Sequence, residues 1–165
     1  LVWMHRTIMK SVELPFDLES KFSGLLRSGR GELLTPLITW SESYSTGNKA
    51  VDAQHKQMMD LINQMDERFQ QNHSFEFVEP IAQELLSFTE THFNYEESLL
   101  EKNACPEIQQ HKASHQSLLS ELHDWIAKAQ SSNRKQLEEL MGFLKLWFPG
   151  HILEADIRHS EFLKP

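Results

Sequence analysis

His92-Phe93-Asn94-Tyr95-Glu96 and His111-Lys112-Ala113-Ser114-His115 decide how this chain is read. Each stretch places two metal-competent side chains four residues apart. On a helix, residues i and i+4 lie one above the other on the same face. The first stretch therefore offers imidazole over carboxylate, and the second imidazole over imidazole. A metal ion needs convergent N or O donors that can give up a proton, held on a rigid support. Either pair alone is ordinary decoration of a solvated helix face. What lifts them above that reading is company: His55 lies in a helix-like segment upstream, and His151 and Asp156 lie in another downstream.

Working outward, four amphipathic segments account for most of the chain. The first runs from about Ala50 to Gln71, with Val51, Met58, Leu61, Ile62, Met65 and Phe69 near helical spacing. The second runs from about Phe75 to Lys102, its inner side marked by Phe77, Ile81, Leu85, Phe88, His92, Leu99 and Leu100; Pro80 falls near its start, where a missing N–H is tolerated. The third, opened by Pro106, runs to about Gln130 with His111, His115, Leu118, Leu122, Trp125 and Ile126 as its stripe. Ser131-Ser132-Asn133 marks a turn, and the fourth segment follows from Arg134 with Leu137, Leu140, Phe143, Leu144, Trp147, Ile152 and Ile157. Pro149-Gly150 interrupts it, which predicts a kink immediately before His151, since proline removes an intrahelical bond and clashes with the preceding turn. Short connections make neighbouring helices antiparallel. The expected fold is all-α: an antiparallel up-down four-helix bundle spanning residues 37–165, with residues 1–36 as an N-terminal extension.

That extension is punctuated by Pro15, Gly24, Gly29, Gly31 and Pro36, and its one helical pattern covers Asp17 to Arg27. Met4 is a candidate native start, which would leave Leu1–Trp3 outside the natural chain. Between extension and bundle, Leu37–Ala50 reads as a loop whose Trp40 packs on the core. Methionines 58, 59 and 65 read as core filling rather than as a cofactor box.

The chain has 165 residues, 39% hydrophobic and 24% charged, which is the composition of one soluble domain with a sizeable core. Its formal net charge of −8 argues against nucleic acid and anionic membrane as partners, since both reward basic surface. No apolar run approaches the ~20 residues of a membrane helix, and the first residues lack the form of a secretory signal. The single cysteine, Cys105, cannot form an internal disulfide; it reads as a small packed residue at a helix end. A reducing, cytoplasmic location is expected.

In an up-down bundle, inward residues at matched heights face each other across the core, and bundle metal sites are built in that way. The order here is one His, then His and Glu, then two His, then His and Asp. Seven donors exceed the four that one zinc ion takes and suit two ions sharing carboxylates. Imidazole with carboxylate and no thiolate fits iron.

From Ile38 to Leu163 the chain resembles the hemerythrin family, in particular its bacterial domains. Val51-Asp52-Ala53-Gln54-His55-Lys56 is similar to the family's first ligand motif, His92 to Glu97 to its second, His111 to His115 to its third, and Trp147 to Asp156 to its last. The separations follow the family pattern: 37 residues from His55 to His92, 19 to His111, 36 from His115 to His151 and 5 to Asp156. The resemblance implies a non-haem centre of two iron ions. His111, His115 and His151 would bind one; His55 and His92 would bind the other and leave it an open position for dioxygen. Glu96 and Asp156 would bridge the pair together with a solvent-derived oxo or hydroxo group.

Three positions depart from the family. Phe148, three before His151, stands where leucine is frequent near the oxygen pocket, and its larger ring is expected to narrow access. Pro149-Gly150 is expected to tilt His151 or open a solvent path. Cys105-Pro106 replaces a frequent tyrosine-proline. His5, His73, His123 and His159 fall outside the motifs and read as surface or satisfied structural residues, and Glu97 is expected to point off the ligand face. The implied function is reversible oxygen binding without catalysis, as an oxygen or redox sensing domain whose output domain or partner would lie beyond this chain. A di-iron oxidase or peroxidase, an oxygen carrier and an iron store are the competing readings. The high share of histidine favours binding over oxidative turnover.

Overall fold

The computed structural model describes residues 26–27, 33–72, 74–130 and 134–164. Four helices carry the described chain: α1 (Lys49–Gln71), α2 (Phe75–Lys102), α3 (Ile108–Gln130) and α4 (Arg134–His151). Consecutive helices pack side by side, and α1 also contacts α4, which closes the ring into an up-down bundle. The bounds follow local chemistry. Asn48 caps α1 by accepting from the backbone N–H groups of Ala50 and Val51, satisfying donors that the first turn leaves orphaned. Helix α2 begins at Phe75 and passes through Pro80 unbroken. Cys105 and Pro106 lie in the turn before α3 rather than in the helix, so α3 starts two residues later than its proline suggests.

The apolar stripes meet in one core. Met58, Ile62, Met65, Leu85, Leu122, Leu137, Leu140 and Leu144 are all fully buried. Phe77 is the exception to the expected stripe: it is exposed, with the Arg68 guanidinium over its ring at 5.7 Å. The buried face of α2 keeps Ile81, Leu85, His92 and Leu100 of that stripe and adds Phe75, Val78, Ala82, Leu86 and Phe93. A smaller cluster of Val51, Leu100, Cys105 and Leu163 closes one end of the bundle, so Cys105 is the packed residue expected of it. The Leu37–Asn48 approach is pinned at two points. Ile38 exchanges hydrogen bonds with the Asn63 side chain at 2.8 and 2.9 Å, and Asp52 accepts from Ser45 Oγ, Thr46 N–H and Thr46 Oγ1. Trp40 packs against the core, with Lys56 over its ring.

Two expectations are corrected. The helix expected over Asp17–Arg27 does not reach its end: Leu26–Arg27 pair antiparallel with Leu33–Leu34, and the remainder lies outside the described residues. Nor does Pro149 break α4. The α-helix continues through it to His151, and the irregularity falls one turn later, where Ile152–Asp156 widens into a π-helical turn closed by Ile157 N–H donating to the Ile152 carbonyl. The helix tolerates the donor that Pro149 lacks and stays continuous past it, and the widened turn follows. The segment beyond, to Lys164, folds back on the bundle end, where Asn48 donates to the Leu163 carbonyl and Asn103 to those of Phe162 and Lys164.

Candidate metal centre

All seven side chains singled out in the sequence converge on one buried site. Helix α1 contributes His55, α2 His92 and Glu96, α3 His111 and His115, and α4 with its π turn His151 and Asp156. The first two pairs of neighbours on α2 and α3 follow from i, i+4 geometry. His151 and Asp156 do not. Five residues of α-helix advance about 500°, leaving the two side chains about 140° apart. The wider π turn lets residue i+5 fall back over residue i, and Asp156 Oδ1 comes to 3.1 Å from His151 Nε2. π turns of this kind recur at functional sites.

The donors fall into two groups: Glu96, His111, His115, His151 and Asp156 in one; His55, His92 and Asp156 in the other. His115 Nε2 and His151 Nε2 are 3.1 Å apart, and His55 Nε2 and His92 Nε2 3.2 Å. Two nitrogens each about 2.1 Å from one ion at a right angle lie about 3.0 Å apart, so both pairs have the spacing of ligands sharing a cation. Asp156 spans the groups, with Oδ2 3.4 Å from His55 Nε2 and Oδ1 facing His151 and, at 3.9 Å, His111. Glu96 does likewise through one oxygen: its Oε2 is 3.6 Å from both His92 Nε2 and His115 Nε2 and 3.8 Å from His111 Nε2.

Burial and close packing of charges push the groups of the site in opposite directions. Burial, reinforced by neighbouring His55, pushes His92 down to about 3. Burial likewise drives His115 far down, with His151 and His111 adding to it. Burial and then the Asp156 charge push Glu96 up. Burial also pushes Asp156 up, but the facing His151 and His55 outweigh it and hold the carboxyl well below the usual range. His151 is the mirror case: burial lowers it, and Asp156 and Glu96 more than restore it. Both carboxylate oxygens of Glu96 and of Asp156, together with His111 Nε2, are buried without a hydrogen bond. Buried acceptors are almost always paired, so orphaned oxygens and nitrogens aimed at one point suit an electrophile as their common partner. Two cations would satisfy them, and the donor set, imidazole and carboxylate without thiolate, fits iron.

A second layer of polar contacts holds the outer nitrogens. Gln54 Oε1 is 2.9 Å from His92 Nδ1, and Glu97 Oε1 is 2.9 Å from His115 Nδ1. His159 Nδ1 is 3.2 Å from His111 Nδ1. Glu97 points off the ligand face, as expected, and one position round the helix from Glu96 carries it to the outer side of His115 on α3, where Lys112 also approaches it at 3.8 Å. His159, expected outside the motifs, is buried and touches a candidate ligand directly. Only its position three after Asp156 hinted at this. His123 is on the surface beside Glu90, as expected, whereas His5 and His73 lie outside the described residues. Apolar rings wall the site: Phe93 stacks on His115 at 3.7 Å, and Phe148 sets its edge against His55 at 5.9 Å.

Fold and site together define a helical-bundle protein with a histidine- and carboxylate-lined cation cage at its core. The family model described as "Hemerythrin HHE cation binding domain" matches residues 46–156, and the chain belongs to the hemerythrin family. It is similar to the bacteriohemerythrin of Pseudomonas aeruginosa, 27% identical over 129 residues that cover 74% of this chain and 83% of that protein. The bacteriohemerythrin of Clostridium acetobutylicum is 23% identical, covering 73% and 96%. A crystal structure of a hemerythrin leucine-to-tyrosine mutant shares the fold, with a TM-score of 0.66 and 24% identity over 78% of this chain and 98% of that one.

Proposed function

We propose that the cage holds two non-haem iron ions and that the chain binds dioxygen reversibly, as an oxygen or redox sensing domain. His111, His115 and His151 would hold one iron, His55 and His92 the other, with Glu96 and Asp156 shared. The observation that carries this reading is Asp156, which turns one oxygen to each of two unequal histidine sets. Three nitrogens on one side against two on the other leave the His55/His92 side with room for an exogenous ligand. Iron held there would supply the electrons that oxygen binding needs. The chain's own residues do the rest. The shared carboxylates offset the charge of two adjacent cations, and Phe148 and Phe93 keep water from the histidines they cover.

The sensing role rests on α4. It carries His151, leads through the π turn to Asp156 and continues without a break into the docked C-terminal segment, so a shift at the irons would be transmitted along it. Superimposable packing of α4 in diferrous and diferric crystals would count against that part of the reading.

The first test is iron content with visible absorption, on protein reduced without air and then exposed to it. About two irons per chain and a new visible band that fades on deoxygenation are expected. One iron or none would overturn the di-iron reading. Two irons with irreversible bleaching would replace reversible binding by redox sensing. Catalytic turnover of peroxide outlasting the centre itself would bring back the oxidase or peroxidase reading.

A further inference from the structure

His159 lies beyond the last motif, yet it is buried between His111 and Glu107. Its Nδ1 is 3.2 Å from His111 Nδ1, and its Nε2 is 3.1 Å from Glu107 Oε2. Glu107 lies just before α3 with its carboxylate half-exposed and Arg158 at 3.6 Å. A charged carboxylate only accepts hydrogen bonds. In its neutral form His159 meets that carboxylate by donating from Nε2, which leaves its Nδ1 as a bare acceptor. His111 must donate from Nδ1 to meet it, which leaves the His111 Nε2 lone pair facing Glu96 and Asp156. One surface carboxylate thus fixes two tautomers in series.

We propose that His159 and Glu107 form a positioning pair that sets the tautomer and orientation of His111 as a metal ligand. The inference rests on the metal-centre reading above. Outer partners of this kind orient the ligand and raise its basicity, and losing one typically costs 10–100-fold in metal affinity. The relay is longer than the contacts made to His92 by Gln54 and to His115 by Glu97, because it passes through a second imidazole. It also ties the metal cage to the C-terminal segment, since His159 belongs to the turns after the π segment.

Substitutions separate this role from simple packing. The His159 ring also sits edge-on to His111 at 5.1 Å, a contact that phenylalanine preserves. His159→Phe is therefore expected to keep the fold, shown by unchanged helical circular dichroism, but to release iron to a chelator at least about 10-fold faster. Glu107→Leu, at the surface, is expected to do the same to a smaller degree, while Glu107→Gln, whose amide oxygen still accepts, restores slow release. The direct readout is the nitrogen-15 spectrum of histidine side chains in metal-free protein at neutral pH. His111 is expected as the Nδ1–H tautomer and His159 as the Nε2–H tautomer, with His111 shifting to a mixture in both His159→Phe and Glu107→Leu. A His111 protonated at Nε2, or release rates unchanged in both variants, would overturn the proposal. The tautomer is read without iron, so failure of the relay and failure of the di-iron reading give different results.

Discussion

Phe148 is among the largest fully buried side chains of the described residues, and it lies edge-on to His55, the candidate ligand on the less populated side of the cage. A residue there controls the space beside the position where an exogenous ligand would sit. The resemblance leads one to expect leucine, and the ring fills that space. Phe148→Leu is expected to cost about 1–2 kcal/mol of stability, less than the 3–5 kcal/mol of a Phe→Ala change because most of the volume is kept. It is expected to speed both oxygen binding and loss of the reduced centre, since ligand and water gain access together. Stopped-flow mixing of reduced protein with air-saturated buffer checks it; unchanged rates would show that Phe148 does not guard the route. At this scale the sequence was informative wherever chemistry resides in the letter. Imidazole and carboxylate at i, i+4 announce themselves. Gln54, Glu97 and His159 did not, because what makes them matter is which neighbour their polar atoms reach across the bundle, and no one-dimensional spacing encodes that.

The helices were legible from their period: α2 spans the stretch its stripe predicts, and α3 and α4 end and begin on either side of Ser131-Ser132-Asn133, a turn signal that lies outside the described residues. Phe77 failed because helical period alone cannot separate an inward residue from one at the margin of the apolar stripe. The π turn was not legible at all. A spacing of five between His151 and Asp156 fits neither the i+3 nor the i+4 neighbour of an α-helix, so its meaning depends on a local widening that residue propensities do not foretell. The glycines of α4 make the next prediction. Gly142 is exposed in the helix interior, Gly150 is followed at once by His151, and a Cβ at either position meets nothing within 4 Å. Neither glycine has the positive φ that would require it. Gly142→Ala is therefore expected to stabilise the chain by about 0.5–1 kcal/mol through backbone entropy, raising Tm by roughly 1–4 °C in thermal melts. Gly150→Ala is expected to do the same with iron content unchanged. A fall in iron content in that variant alone would mean that the bend into the π turn needs glycine's freedom.

For the whole molecule, the cage is a source of instability that a bound cation would relieve. Five histidines and two carboxylates occupy the centre of a bundle whose remaining core is apolar, and several of their polar atoms have no protein partner. Each such atom, left dry and unpaired, costs about 1–3 kcal/mol, whereas the apolar layers on either side stabilise without condition. The metal-free chain should still fold, because the layer from Met65 to Leu140 and the end cluster around Leu100 and Leu163 do not involve the ligands. Metal should then add stability by mass action, since the unfolded chain cannot present all seven donors at once. At free metal 100-fold above the dissociation constant, the gain is about 2.7 kcal/mol for each site. For a chain of this size 1 kcal/mol moves Tm by roughly 2–4 °C, so removing iron with a chelator is expected to lower Tm by at least about 5 °C. Because π turn, cage and docked C-terminal segment are continuous, hydrogen exchange in metal-free protein should quicken first over residues 151–164, ahead of the apolar layer. A Tm indifferent to iron would mean that the donors hold their places without it, and that binding is not coupled to the folding of the bundle. Uniform loss of protection would keep the stabilisation but remove α4 as the element that reports on the metal.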